Sequence, residues 1–373
     1  MPVPMERVSP AKQAFQARVA LEPGISAFES LSLIVHAENV SGLHEWVYRT
    51  ASSMPGELKR NHHIVFEGLF YAVEPVQSAQ SFPELIHQLS VADPLTLRAR
   101  LMDAYARVNR PKKARIAPDE SPDEFANGYD SVLSSFEAYF EFLASHFSRD
   151  CINPVVENAA YNLIMDPPAM QKFVVSHMWK IWEDVMEKEW RRVEPLLQQT
   201  VQAFQQVSLR DLTIQEAVKA VLEVDDESMY EKIKRKLEHV QQLIFVPSAH
   251  VGPYHYQLGQ ASKKWMFFTV RSPRGMTLET PELNQSEILV RLNALTDETR
   301  LKILQLIANE GPLTSSQVID QLGLSQSAAS RHLMQLSAAG YLTENRVQGA
   351  KQYAVNPKRI NETLQGVAAY LLK

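Results

Sequence analysis

Apolar positions recur along this chain first with strand spacing, then with helix spacing. Residues Ala14–Glu22 alternate, placing Phe15, Ala17, Val19 and Leu21 on one side, which predicts a strand that Pro23-Gly24 ends. From Ser26 to about Gln241 the spacing turns helical, cut into short helices in its first half by Pro55, Pro75, Pro83, Pro94, Pro111 and Pro118. Ser131–Phe147 predicts a strongly aromatic helix, and Pro167-Pro168 opens a long amphipathic one, about Ala169–Gln206, with Trp179, Trp182 and Trp190. Leu243–Val246 and Trp265–Val270 predict strands joined through HVGPYHYQLG, expected to pair with the early strand as a small antiparallel sheet. The polar, proline-bearing segment Ser272–Ser286 marks a boundary. The expected fold is therefore mainly α, with a large helical domain at 1–275 that carries the small sheet and a second domain at 286–373.

After the boundary the pattern tightens. Glu287–Leu295 predicts a short helix with Ile288, Leu289, Leu292 and Leu295 on one side. Asp297 is placed to cap the next helix, whose apolar positions are Leu301, Ile303, Leu304, Leu306 and Ile307 and which Gly311-Pro312 stops. Leu313-Thr314 reads as extended. Ser315 is expected to cap a helix Ser316–Leu322 with Val318, Ile319 and Leu322 inward, and Gly323 follows where a left-handed residue is needed. Leu324 fills the turn, and Ser325 caps a third helix, about Gln326–Ala339. There Ala329, Leu333 and Leu336 form the buried face, so Gln326, Ser327, Ser330, Arg331 and Met334 point to solvent. Tyr341–Val347 and Lys351–Val355 predict a hairpin turning through Gln348-Gly349-Ala350, with Tyr353 and Val355 inward and Arg346 and Lys351 beside its tip. The last helix, Pro357–Leu372, gathers Ile360, Leu364, Val367, Ala368 and Leu371 on one face.

Helix, glycine turn, helix and basic-tipped hairpin, in that order, is the layout of a winged helix-turn-helix, whose second helix enters the DNA major groove. The expected DNA face is Ser325, Gln326, Ser327, Ser330 and Arg331, with Arg346, Gln348 and Lys351 in the wing. Small polar residues at a helix N-terminus approach base edges and phosphates closely, and Arg331 suits a guanine or a phosphate. The stripe of the last helix and the helix Glu287–Leu295 give an expected dimer face of Ile288, Leu292, Ile360, Leu364, Val367 and Leu371.

The 373 residues suffice for two or three domains at about 100–200 residues each. The single cysteine, Cys151, excludes an internal disulfide and any multi-thiolate metal site and suggests a reducing cytoplasm. No apolar run approaches the roughly 18 residues of a membrane span, and no leader-like segment opens the chain, so no membrane partner is expected. The formal charge is −5, but from Glu282 onward nine Lys and Arg face eight Asp and Glu, a net of +1, leaving −6 on the rest. Within Arg331–Arg359 five basic residues face only Glu344, a local positive face fit for phosphate contact.

The signatures LTDETRLKILQLI, LGLSQSAASRHLMQL and AAGYL, followed by the hairpin, resemble the ArsR-type bacterial transcription regulators over the last quarter of the chain. The resemblance implies a homodimer on a palindromic operator of double-stranded DNA, acting as a repressor released by an effector. It places the DNA face on Gln326, Ser327, Ser330 and Arg331, with Arg346 and Lys351 in the wing. His332 matches a common family position; it flanks the core stripe and is read as a packing or backbone-contact residue rather than a metal ligand. The family's thiolate sensors carry cysteines in the helix here spanning Ser316–Leu322, and other metal sensors use His and carboxylates on the last helix. This chain has no cysteine in the former and only Glu362 in the latter, so a non-metal effector and no cofactor are expected.

Residues 1–275 show no Walker loop, G-x-S-x-G, H-E-x-x-H or dinucleotide-binding glycines, and Cys151 has no nucleophile signature around it. His62-His63, His250 and His255 lack a spacing with carboxylates or thiols that would make a metal site. The aromatic density at Phe136–Phe147 and Phe173–Trp190 suits either a helical core or a small-molecule pocket. The expected whole is a cytoplasmic, nucleoid-associated, dimeric DNA-binding regulator with an effector or oligomerisation domain in front. The alternatives are a winged-helix adaptor that docks a protein without binding DNA, and an enzyme in the N-terminal region.

Overall fold

The computed structural model describes residues 15–372 apart from 41, 108–128, 150–151, 211, 223–229, 231–232, 235–236, 238, 260–261, 272, 274–284 and 348–349, and omits the side chains of 285–287, 345–347, 350 and 358. Cys151 and most of the expected boundary segment lie outside the described residues. Strand β1 (Gln16–Val19) leads into helix α1 (Pro23–Ser32), which Pro23 starts at its first turn. Every α1 residue from Gly24 to Ser32 is buried. A helix whose faces are all covered belongs at a centre, and this one carries Ser26, Glu29, Ser30 and Ser32 inside with it.

Strands β2 (Gln242–Ser248), β3 (Tyr256–Leu258) and β4 (Lys263–Thr269) complete a four-stranded sheet in the order β1-β2-β4-β3. The early strand does pair with the later ones, but the expected antiparallel sheet is corrected. β1 and β4 both run parallel to β2, and only the edge strand β3 is antiparallel. The reason lies in burial. In β2, Ile244 and Val246 enter one core while Leu243 and Phe245 enter another; in β4, Trp265 and Phe267 part from Met266 and Phe268 in the same way. Both faces are therefore covered, and strands covered on both faces read as unbroken apolar runs, the mark of parallel pairing.

The larger core packs α1 against α2 (Glu45–Ser53), α3 (Gly56–His63), α4 (Phe70–Val73), α5 (Phe82–Val91), α6 (Pro94–Arg107), α7 (Phe136–His146) and α8 (Pro154–Ile164). The expected long helix forms as α9 (Pro167–Ile181), one π-helical turn over Trp182–Met186, and α10 (Glu187–Phe204). Trp182 stacks on Phe82 at 5.4 Å between ring centroids and packs with Phe173 against the larger core, while Trp179 is exposed. Helix α11 (Ile214–Leu222) and Phe204 cover the sheet's other face. No helix among the described residues is long and apolar enough to cross a membrane.

The histidines weighed as metal ligands are taken up inside this region. His62 bonds the Leu31 carbonyl at 3.0 Å and His177 at 3.2 Å, while His63 sits 3.1 Å from Glu67. His250 lies between Ser30 and Glu189, at 2.8 Å from each, and His255 is buried elsewhere with its imidazole held down to about 4 by burial. Among the described residues no three His, Cys, Asp or Glu side chains converge as metal ligands.

Candidate nucleic-acid interface

A third core, spanning Ala294 to Tyr353, is built separately from the other two. Its elements are α12 (Gln285–Leu295), α13 (Glu298–Glu310), α14 (Ser315–Leu322), α15 (Gln326–Ala338) and α16 (Pro357–Leu371), with β5 (Leu313–Thr314), β6 (Leu342–Val347) and β7 (Ala350–Val355). The hairpin β6–β7 is antiparallel, and β5 joins it as a third strand beside β7.

Caps fix where each helix begins. Asp297 accepts from the Arg300 amide at 2.9 Å. The cap of α14 is Thr314 rather than the expected Ser315: its hydroxyl accepts from the Gln317 amide while the Gln317 side chain accepts from the Thr314 amide, a reciprocal capping box. Gly323 closes α14 at φ 64° and ψ 32°, the left-handed geometry that the turn into α15 requires. Ser325 caps α15, accepting from the Ala328 amide at 3.2 Å.

With both ends fixed, the α15 register follows. Ala329, Leu333 and Leu336 are fully buried. Ser325, Gln326, Ser327, Ser330 and Arg331 are all exposed, together with Met334. The structure thus brings the five expected helix residues onto one solvent-facing surface at the start of the second helix of the pair. Wing residues are placed differently. Lys351 is 2.8 Å from Glu344 and 4.8 Å from the Tyr353 ring centroid, so its charge already has a partner. Arg346 pairs with Lys351 through the β6–β7 ladder, but its side chain, like Gln348 as a whole, lies outside the described residues. His332 is half-buried 3.8 Å from Asp297, and burial lowers its pKa against the pull of that carboxylate. That is the flanking position expected of a packing residue.

Residues to which the sequence reading gave no such role hold this surface in place. Arg300 is buried inside α13, where its guanidinium donates to the carbonyls of Asn293 and Ala294 at 2.8 and 2.7 Å and to the Gln335 side chain at 2.7 Å. Leu301, expected inside, is 49% exposed, because Arg300 takes the inward position beside Ile303, Leu304 and Ile307. That 300, 303, 304, 307 spacing was the available signal for Arg300. Tyr341 links Thr363 of α16 to the Arg291 carbonyl of α12, each at 3.1 Å.

The expected dimer stripe divides. Ile288 is only 5% exposed and cannot offer surface to a partner, and Ile360 packs on the third core. Leu292 and Val367 are half-buried. Leu364 and Leu371 face outward at 58% and 70%, with Leu289, Tyr370 and Leu372 also exposed.

Comparison with known proteins agrees with this geometry. Residues 297–344 match the family described as "Bacterial regulatory protein, arsR family". The chain is 34% identical over 84 residues to the probable mercury resistance operon repressor of Streptomyces lividans, covering 22% of this chain and 66% of that protein. It is 41% identical over 64 residues to the arsenic resistance transcriptional regulator ArsR1 of Pseudomonas putida, covering 17% of this chain and 50% of that protein. The chain therefore spans about two thirds and one half of the lengths of these relatives. Residues 297–344 are a helix-turn-helix domain of the bacterial ArsR regulatory protein family, carried behind a large helical region with its own sheet.

Proposed function

We propose that this protein is a sequence-specific DNA-binding transcriptional regulator, a dimeric repressor whose grip on its operator responds to a non-metal effector. The observation that carries the reading is the exposed polar face Ser325–Arg331, set at the start of α15 by the Gly323 turn and the Ser325 cap. A helix held that way can lay its first two turns in a major groove, with Arg331 reaching a base edge or phosphate. Repression is supported by the repressor and regulator among the relatives. A non-metal effector is supported by the chain's single cysteine and by the absence of cysteine from Ser315–Leu322 and of histidine from Pro357–Leu371. We place the division between sensing and DNA-binding domains at about residues 275–286, in keeping with the separate third core.

Selection of genomic fragments by the full chain, followed by anisotropy on the recovered duplex, tests the reading. Arg331→Ala is expected to cost about 1–3 kcal/mol of specific affinity and to relax the preference at one base pair. Lys351→Ala is expected to weaken all duplexes alike, and to flatten the salt slope by less than about one unit, because Glu344 already holds its charge. Unchanged affinity in both variants would remove this face from the interface.

The dimer is expected to form through Leu364 and Leu371 of α16, with Leu289 of α12, the helix packed beside it, also exposed. A palindromic operator needs two such domains related by a two-fold axis. Leu364→Glu should shift the sedimentation coefficient to that of a monomer and abolish cooperative operator binding. A persisting dimer would move the interface to the helical region.

A further inference from the structure

A cleft of about 310 Å³ opens between the start of α13 and the α15 flank on one side and residues 37–40, Gly42 and Tyr48 of the helical region on the other. Its size falls within the roughly 300–1,000 Å³ of small-molecule sites. The floor is built to a close tolerance. Gly42 has φ 96°, and a Cβ there would lie 2.9 Å from the Gln335 amide nitrogen. Gln335 is itself pinned by Arg300.

The charges lining the cleft are unevenly spent. Glu38 is held by Lys59 at 2.8 Å. Asp297 caps α13 and lies 3.8 Å from His332. The Tyr48 hydroxyl donates to the Val40 carbonyl and accepts from the Leu43 amide. Arg331 has no ion pair among the described residues, and the Asn39 side chain has no hydrogen bond among them. One guanidinium and one amide are thus left to a ligand, on opposite walls.

We propose that this cleft is the effector site and that its ligand is a small organic carboxylate bearing neutral hydrogen-bonding groups. The carboxylate takes the planar fork of Arg331 in a bidentate pair, and Asn39 meets the ligand's polar body. The consequence for regulation rests on the DNA-binding reading. A guanidinium that holds the ligand cannot also reach a base or phosphate, so binding in the cleft releases the operator. The signal needs no long path, since the ligand touches the recognition helix itself.

The full chain labelled with ¹⁵N, its Arg331 Nε resonance identified by loss in Arg331→Lys, is titrated with acetate, succinate, glutamate and 4-hydroxybenzoate, with chloride at matched ionic strength as control. The expected result is a saturable shift with at least one carboxylate, none with chloride, and a weaker response in Asn39→Ala. The same carboxylate should lower duplex affinity by roughly 5–150-fold, the usual span of coupling between two sites. A silent Arg331 resonance across the panel overturns the proposal, and so does a saturable shift that leaves duplex affinity unchanged. A shift in a chain that binds no duplex even without ligand sinks the DNA reading and the effector role, and leaves only the carboxylate site.

Discussion

Replacing Arg300 with alanine is expected to destabilise the third core by roughly 3–5 kcal/mol, the range for removing one partner of a buried, charge-assisted hydrogen-bond set. Its guanidinium spans three places at once: the carbonyl end of α12, the helix α13 it belongs to, and Gln335 of α15. Alanine leaves two carbonyls and a buried amide oxygen without these donors, and leaves a void beside Ile303 and Ile307. Hydrogen exchange reads the effect locally. Amides of Glu298–Glu310 and Gln326–Ala338 should exchange far faster, while those of β2 and β4, in different cores, keep their protection. Arg300→Met restores the volume and should recover only part of the loss. Undiminished protection in α15 of the alanine variant would show that apolar packing alone orients the recognition helix. Operator affinity should fall in parallel, since a loosened α15 must be ordered again at the moment of binding.

The exposed polar face of α15 was legible because it depends on a single helix. Once Gly323 and Ser325 fix the start of α15, the positions of Ala329, Leu333 and Leu336 determine where Ser327, Ser330 and Arg331 point, and these three are exposed as the wheel requires. What failed depended on side-chain partners that apolar spacing alone does not name. Arg300 takes the inward place expected of Leu301 because it finds carbonyls and Gln335 inside, contacts that no propensity encodes. Thr314 displaces Ser315 as cap because Gln317, three residues on, answers it. Lys351 was expected as a wing contact to DNA, yet its cross-strand surroundings supply Glu344 and Tyr353. The sheet's direction was misread because β1 and β2 are separated by the whole helical layer, and only the two-sided burial of β2 and β4 betrays parallel pairing. The cleft joins residues 37–40, Gly42 and Tyr48 to α15, a juxtaposition with no local trace.

The second large effect concerns the buried polar chain at the centre of the helical region, and it is a dependence on pH. Burial pushes Glu29 up to about 8, against hydrogen bonds from Ser248 and Ser30. Burial would also raise Glu189, but hydrogen bonds from Arg192 and His250 outweigh it and hold the carboxyl at about 2. An ionised Glu189 2.8 Å from His250 Nε2 requires that nitrogen to donate, so a neutral His250 accepts at Nδ1 from the Ser30 hydroxyl, also at 2.8 Å. Ser30 Oγ then stands 3.3 Å from Glu29 Oε2, ready to accept from that oxygen when it is protonated, while Ser248 donates to Oε1 at 3.1 Å. One consistent set of protons runs from Glu29 through Ser30 and His250 to Glu189, with the single Ser30 proton going to His250 rather than to the Ser26 carbonyl 2.9 Å away. Because Glu29 holds its proton more tightly folded than unfolded, its contribution is whole below 4.5 and is lost as pH rises towards about 8. The slope is at most about 1.4 kcal/mol per pH unit. Glu29→Gln keeps both roles, its amide donating to Ser30 and its carbonyl accepting from Ser248, and removes the titration. Urea unfolding of the full chain should therefore find the variant more stable by roughly 2–4 kcal/mol near pH 7–8, with the difference shrinking towards pH 5. Wild-type and variant curves that run parallel across this window would mean that Glu29 is ionised in the fold and that the proton order through His250 is reversed.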